Sequence, residues 1–519
     1  MYFERIKYNE WKRTLVAALI AVVAVEVLVN AQFMLGRPDF VIGGVVLAFF
    51  FVICLVRLEW GLIALLLLSL SASRVPLYSQ GPASLFLAEV LLTVIFIAYL
   101  LHMLVRKRGL SLDAPTVPLI LLLIVAGLSL VHGNLFWDES VPTDHRYLIV
   151  QVAGVVLIAL PVATFLLFAN CFDVRKNLNW LLPLFIIMPV IGAMAVLGTV
   201  PTVIASVGFS SRGGLRSFIE ASPFWASPLT GWNTLRGIGA AVIFSASLIV
   251  PDKTKRLILW GLLVPLLIVD VLSLKVGSWI ALVCILLVVA WFHSKKLFGV
   301  FLVVLVAMMA MESIVTEGNT VDAVLTNAEE KGSFDRLLIW QDGLTIWSTS
   351  PVVGVGPGNY YSYSYRYTSF PQVIAGSSRL AGKEQNPYGN AHNGYIQILA
   401  EVGIAGFALF MWFIVATLRA GIKTYNRATS NREKAFVLGL LGGIAGGLVQ
   451  MFTMNGLYHS INNGGFMTFV AGMYTWAAAG MLVQLSRSRK DLPAIDTATA
   501  GTSGIGRRST GKIPPSHRE

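Results

Sequence analysis

A histidine at the mouth of an apolar helix and an arginine at the start of an amphipathic one have the types and spacing to do chemistry. From Asn390 to Gly406 a polar loop turns into a hydrophobic helix. With Asn390 as N-cap, His392 falls in the first turn, and Asn393, Gln397 and Glu401 follow four residues apart as a polar stripe. The positive end of the helix dipole opposes protonation there, which favours a neutral imidazole able to accept a proton at pH 7. The competing reading is a histidine satisfied locally at a helix mouth.

Arg336 opens a second segment. Leu337, Trp340, Leu344 and Trp347 recur at spacings of 3, 4 and 3, which predicts an amphipathic helix able to lie on a membrane surface. The fixed donors of an arginine suit a diphosphate, and they also suit lipid headgroups. The glycines between Pro351 and Tyr360 look superficially like a phosphate cradle, but no predicted strand precedes them and the P-loop lysine is missing. They read as a tight turn that folds the loop back over the membrane. Tyr361, Tyr363, Tyr365 and Tyr367 alternate with Ser362, Ser364 and Arg366. Alternation would line four rings along one edge as a platform for sugar faces, although tyrosine is also a usual resident of the membrane interface.

Positioning these residues falls to an all-α membrane scaffold. The chain has 519 residues, 56% of them hydrophobic and only 13% charged, with a mean hydropathy of +0.73. Such a balance excludes an ordinary soluble domain and predicts a polytopic membrane protein. About fourteen apolar spans are expected, near 13–33, 40–56, 59–72, 85–104, 116–132, 148–169, 179–199, 236–250, 257–273, 277–292, 297–312, 393–418, 435–454 and 463–485. The third is short enough to be re-entrant. Residues 1–312 carry the first eleven spans, 313–391 form a large extracytoplasmic loop between spans 11 and 12, 392–486 carry the last three spans, and 487–519 form a disordered cytoplasmic tail.

With the N-terminus inside, 27 of the 39 lysines and arginines fall in cytoplasmic connections and 11 in outer ones, leaving Arg236 at a boundary. The asymmetry places both termini in the cytoplasm and reads the net charge of +12 as a topology signal, not a nucleic-acid footprint. The apolar run within Met1 to Gln32 is too long for a secretory signal and reads as a retained anchor. Cys54, Cys171 and Cys284 fall in or beside spans and imply neither a disulfide framework nor a metal cluster. Three outer connections are long enough to carry chemistry, His132 to Arg146, Pro201 to Arg236 and Glu312 to Ala391. No internal repeat is evident.

Arg336 with Trp340, Pro351 with Gly354 and Gly356, and His392-Asn393 with Leu399, Glu401, Gly403 and Gly406 together resemble the signature of the O-antigen ligase and polymerase superfamily. The resemblance covers residues 333–410 and does not separate the family's branches. It implies a glycosyltransferase of the bacterial inner membrane that is metal-independent and needs no cofactor. Such an enzyme transfers a glycan from undecaprenyl diphosphate to an acceptor hydroxyl on the outer face. It further implies His392 near that hydroxyl, Arg336 near the diphosphate and Asn393 among the binding residues. The residue types fit, because a hydroxyl attacking an anomeric carbon needs a base near neutral pKa and a departing diphosphate needs cationic donors. The outer loops contain no DxD-type carboxylate pair with metal-ligand character.

One departure concerns a second cation. Where the family commonly has Ser-Arg-Gly, this chain reads Leu274-Lys275-Val276-Gly277-Ser278, so Lys275 is the nearest substitute, with Arg212 and Arg216 as further candidates. Glu26, Glu89 and Asp270 lie within spans and read as internal glue, with Asp270 pairing to Lys275. The expected role is a polymerase in exopolysaccharide or O-antigen assembly, with a flippase and a chain-length regulator as candidate partners alongside the lipid-linked glycan, its acceptor and membrane lipids. A ligase acting on lipopolysaccharide or protein is the alternative within the family. A polytopic transporter or flippase is the alternative outside it.

Overall fold

The computed structural model describes residues 38–72, 76–78, 85–106, 110–143, 147–207, 230–272, 276–315, 333–367, 390–453, 457–458 and 466–487. The first expected span and residues 488–519 of the expected tail lie outside them, while Arg487, expected to open that tail, is the last residue of a helix. The helices are α1 (Pro38–Val56), α2 (Leu58–Ala72), α3 (Leu87–Arg106), α4 (Thr116–Leu135), α5 (Tyr147–Cys171), α6 (Val174–Val207), α7 (Thr230–Ile249), α8 (Lys253–Leu272), α9 (Val276–His293) and α10 (Lys295–Val315). After them come α11 (Ser333–Thr349), the short α12 (Tyr360–Tyr367), α13 (Gly394–Arg427), α14 (Asn431–Gln450) and α15 (Phe466–Arg487). A small antiparallel ladder pairs Pro76–Tyr78 with Leu85–Phe86.

This is the all-α polytopic membrane architecture expected from hydropathy. Among the described residues six helices are long and apolar enough to cross a membrane, Leu87–Val105, Thr116–Leu135, Tyr147–Cys171, Val174–Met194, Gly394–Arg427 and Asn431–Gln450, and shorter apolar helices accompany them. The bundle's outer faces are apolar as well: Leu104, Val105 and Leu257 are each about three-quarters exposed. A soluble surface would not present so many aliphatic side chains, whereas a lipid-facing one does.

At the core, α14 packs between α7 and α9. A β-carbon at Gly439 would run into the backbone of Val242 on α7, and one at Gly446 into Ile285 on α9. Small residues on two faces of α14 therefore bring both neighbours close, and dispersion holds helices that have no hydrophobic drive to associate in lipid. The bundle end formed by the starts of α4 and α14 and the ends of α5 and α15 is tied by polar contacts. Arg487 grips Asp113 with two nitrogens at 2.7 and 2.9 Å and also reaches the Ala169 carbonyl, Asn170 and Thr116. Arg175 pairs with Glu433 nearby.

Asp270 pairs with Arg236 of α7 at 3.2 Å, because α7 packs directly on α8 and buries both groups together, and its expected partner Lys275 lies outside the described residues. Two expectations need correction. The tyrosine run is helical, so rings four apart coincide where a strand would have aligned rings two apart. The helix carrying the polar stripe starts later than expected, at Gly394 with Asn393 as its cap.

Candidate active site

Helix α13 has 34 residues, about 51 Å at 1.5 Å per residue, and it is not continuous. Gly403 stands at φ 67° and ψ −174°, which breaks the ladder and frees carbonyls on one side and amides on the other. In lipid each of these groups would cost several kcal/mol unpaired. The glycine-rich segment after Pro351 supplies the partners. The Val355 and Gly356 amides donate to the carbonyls of Ala400 and Glu401 at 2.9 and 3.0 Å, while the Pro351 and Val352 carbonyls accept from Ile404 and Ala405 at 2.9 and 3.2 Å. Ser129 of α4 adds a hydroxyl donor to the Glu401 carbonyl at 2.7 Å.

This clasp explains the spacing of the glycines. Gly354, Gly356 and Gly358 all have positive φ, and a β-carbon on Gly354 would collide with the Glu401 backbone. The turn expected from the sequence is present, but it plugs a break in α13. Asn359 locks the far end, its amide donating to the Val355 carbonyl at 2.7 Å while its oxygen accepts from Gln151 of α5 at 3.1 Å.

His392 sits immediately before α13, at φ 46°. Asn390 does not cap the helix because its side chain accepts from the His392 N–H at 2.8 Å, closing a local turn. Asn393 takes the cap, accepting from the Tyr395 and Ile396 amides at 3.0 and 3.3 Å. The polar stripe is buried and connected: the Ala391 amide donates to Gln397 Oε1 at 2.8 Å, Gln397 Nε2 donates to Glu401 Oε1 at 2.8 Å, and the Tyr458 hydroxyl donates to Glu401 Oε2 at 2.7 Å.

Helix α11 forms over Ser333–Thr349 and lies against α13. Of the expected stripe, Leu337 and Leu344 are exposed, Trp347 is half-buried and Trp340 packs inward against the cluster of Ile346, Tyr360 and Ile396, while Ile339, Asp342 and Ile346 are buried. Gly343 provides the close contact, since a β-carbon there would meet Ile396 and the Tyr360 hydroxyl. Arg336 lies seven residues before Gly343, on the same helical face, and its charge is felt at His392, two residues before the start of α13. Burial first, and then the positive charge of Arg336, push the His392 pKa below its ordinary value. Arg336 and a proton-accepting imidazole at one bundle end could serve an anionic leaving group and a hydroxyl nucleophile.

Tyr363 and Tyr367 stack at 6.1 Å with planes 12° apart, and Trp137 stands edge-on to Tyr363. The Tyr367 hydroxyl donates to Asp138 at 2.6 Å and Arg366 to Ser140 at 3.1 Å, so α12 is strapped to the connection following α4. Lys275, Arg212 and Arg216 lie outside the described residues. Sequence reading missed Ser129, Gln151, Asn359, Tyr360 and Tyr458. The glycines at 354, 356 and 358 were the available signal, since such a run implies a backbone pressed against another backbone.

No curated protein matches the chain. Residues 261–411 match the family model Wzy_C, described as O-Antigen ligase. That interval contains Arg336, the glycine clasp, His392 and the break at Gly403, so the site lies in the stretch of this multi-pass membrane protein that is similar to the O-antigen ligase family.

Proposed function

We propose that the chain is a glycosyltransferase that moves a glycan from undecaprenyl diphosphate to an acceptor hydroxyl on the outer face of the inner membrane, joining repeat units of a surface polysaccharide. The observation that carries this reading is the electrostatic proximity of Arg336 to a half-buried His392 at the mouth of a broken helix. His392 takes the proton of the acceptor hydroxyl as that oxygen bonds to the anomeric carbon. The bond from the anomeric carbon to the diphosphate oxygen breaks, and its electron pair leaves with the diphosphate. Arg336 donates to the departing diphosphate as its charge grows. Asn393 fixes the helix cap and so the direction of the His392 loop, and Lys275, Arg212 and Arg216 are candidates for a second cation. No metal is required in this scheme.

A ligase that moves a finished glycan onto a lipid core or a protein is the second reading, favoured by the description of the matching family. Analysis of glycan length and attachment in a deletion strain separates the two. Single repeat units accumulating on the acceptor support a polymerase, long unattached chains support a ligase, and unchanged glycan would sink both.

A further inference from the structure

Glu401 lies in the turn before the break in α13 and is 2% exposed. Its carboxyl collects donors from separate parts of the chain: Gln397 Nε2 at 2.8 Å, the Tyr458 hydroxyl at 2.7 Å, and the backbone amides of Gly358 and Tyr360. A single buried group with so many donors holds those parts in register, and two routes lead from it to the candidate active site.

The first route runs through Gln397. Its Nε2 donates to Glu401 and its Oε1 accepts from the amide of Ala391, the residue before His392. A backbone amide can only donate, so the Gln397 side chain has one orientation that satisfies both neighbours. The second route runs through Tyr360. Its amide faces the Glu401 carboxyl, its ring lies under Gly343, and its hydroxyl donates to the Ile339 carbonyl at 3.4 Å, one turn after Arg336.

We infer that Glu401 is a positioning residue for glycan transfer, the common anchor that fixes His392 and the Arg336 helix in one frame. The inference rests on the functional reading above. Glu401 itself touches no substrate. Removing it leaves the Ala391 turn and the start of α11 free to move independently, and a misplacement of about 1 Å between reacting groups costs on the order of 100-fold in rate.

Glu401→Leu and Glu401→Gln in lipid-reconstituted protein test this. In Glu401→Leu, hydrogen exchange at the Ala391 and Tyr360 amides should accelerate about tenfold or more while amides along α14 stay protected. Transfer with lipid-diphosphate glycan and acceptor should fall about 100-fold. The acid limb of the pH–rate profile should move up as Arg336 withdraws from His392. Glu401→Gln should fall between wild type and Glu401→Leu, because an amide keeps one acceptor oxygen. Unchanged exchange at both amides overturns the inference, as does a rate that falls only with the folded fraction while the pH limb stays in place. A wild-type protein that forms no glycosidic bond defeats the functional reading instead, and the exchange rates still decide whether Glu401 is the anchor.

Discussion

The carbonyl oxygen of Val352 fills the space that a β-carbon on Gly403 would need, and Gly403 holds a φ of 67°. Any other residue there meets strain of about 1–3 kcal/mol from the backbone alone, before the loop is displaced. Gly403→Ala is therefore expected to lower the thermal midpoint of the detergent-purified protein and to abolish transfer. A β-carbon on Gly299 of α10 would meet nothing within 4 Å, so Gly299→Ala serves as the control and should leave the midpoint unchanged or slightly raised. Equal midpoints for the two variants would remove the clasp from the account.

Much of this fold is legible in the sequence. Apolar runs locate the helices, and the 3, 4, 3 spacing locates α11 and its exposed Leu337 and Leu344 face. Gln397 and Glu401 are recognisable as a stripe because four-residue spacing is local. What they bind is not legible, since Tyr458 and Gly358 reach Glu401 only through the tertiary fold. The cap falls three residues later than expected because Asn390 and Asn393 are equally good caps by type. Only the competing turn from Asn390 to the His392 amide decides between them. The alternating tyrosines look like a strand until the docking of α12 on Trp137 and Asp138 is known.

Topology is open to a direct chemical test. The charge asymmetry predicts the 313–391 loop outside and the connection between α13 and α14 inside. The native cysteines are free, so a cysteine-less background can carry one probe at a time. Ser377, which lies outside the described residues, and the exposed Thr429 are suitable sites. Ser377→Cys should react with an impermeant maleimide in cells whose outer membrane, if present, admits it, and Thr429→Cys should react only after lysis. The reverse pattern would invert the map.

The latch at the other bundle end predicts a stability effect without a catalytic one. Burial alone would raise the Asp113 pKa, but hydrogen bonds from Arg487 and Thr116 outweigh it and hold the carboxyl below its ordinary value. A depressed carboxyl pKa contributes stability that is present above the unfolded value near 3.8 and is lost as pH falls through the folded one. At neutral pH, Arg487→Ala removes charge-assisted bonds from a half-buried carboxylate and should destabilise by about 1–3 kcal/mol. Arg487→Lys keeps the charge but not the fork and should fall between wild type and alanine. Thermal midpoints and the specific activity of the folded fraction are the measurements, and a fall in that specific activity would mean that the latch reaches the active site.

The sharpest test of the active-site reading is the pH dependence of His392 and what Arg336 does to it. A general base must be neutral to work, so the rate should fall as pH drops through the folded pKa of His392, which lies below the ordinary 6.5 because of burial and Arg336. His392→Ala should cost about 100- to 10,000-fold and flatten that limb. Arg336→Ala removes the second cause of the shift, so the imidazole should titrate closer to 6.5 and the residual activity should fail at a higher pH than in wild type. Arg336→Lys keeps the charge, so its limb should stay low. Its rate should still drop, because an ammonium cannot reproduce the planar fork on a diphosphate. Purified protein, lipid-diphosphate glycan and acceptor, assayed with and without a chelator, suffice for the series, and the chelator should change nothing. Wild-type rates in Arg336→Ala would keep the enzyme but move the diphosphate role to Lys275, Arg212 or Arg216. A wild-type protein that forms no glycosidic bond in the same assay would favour a transporter.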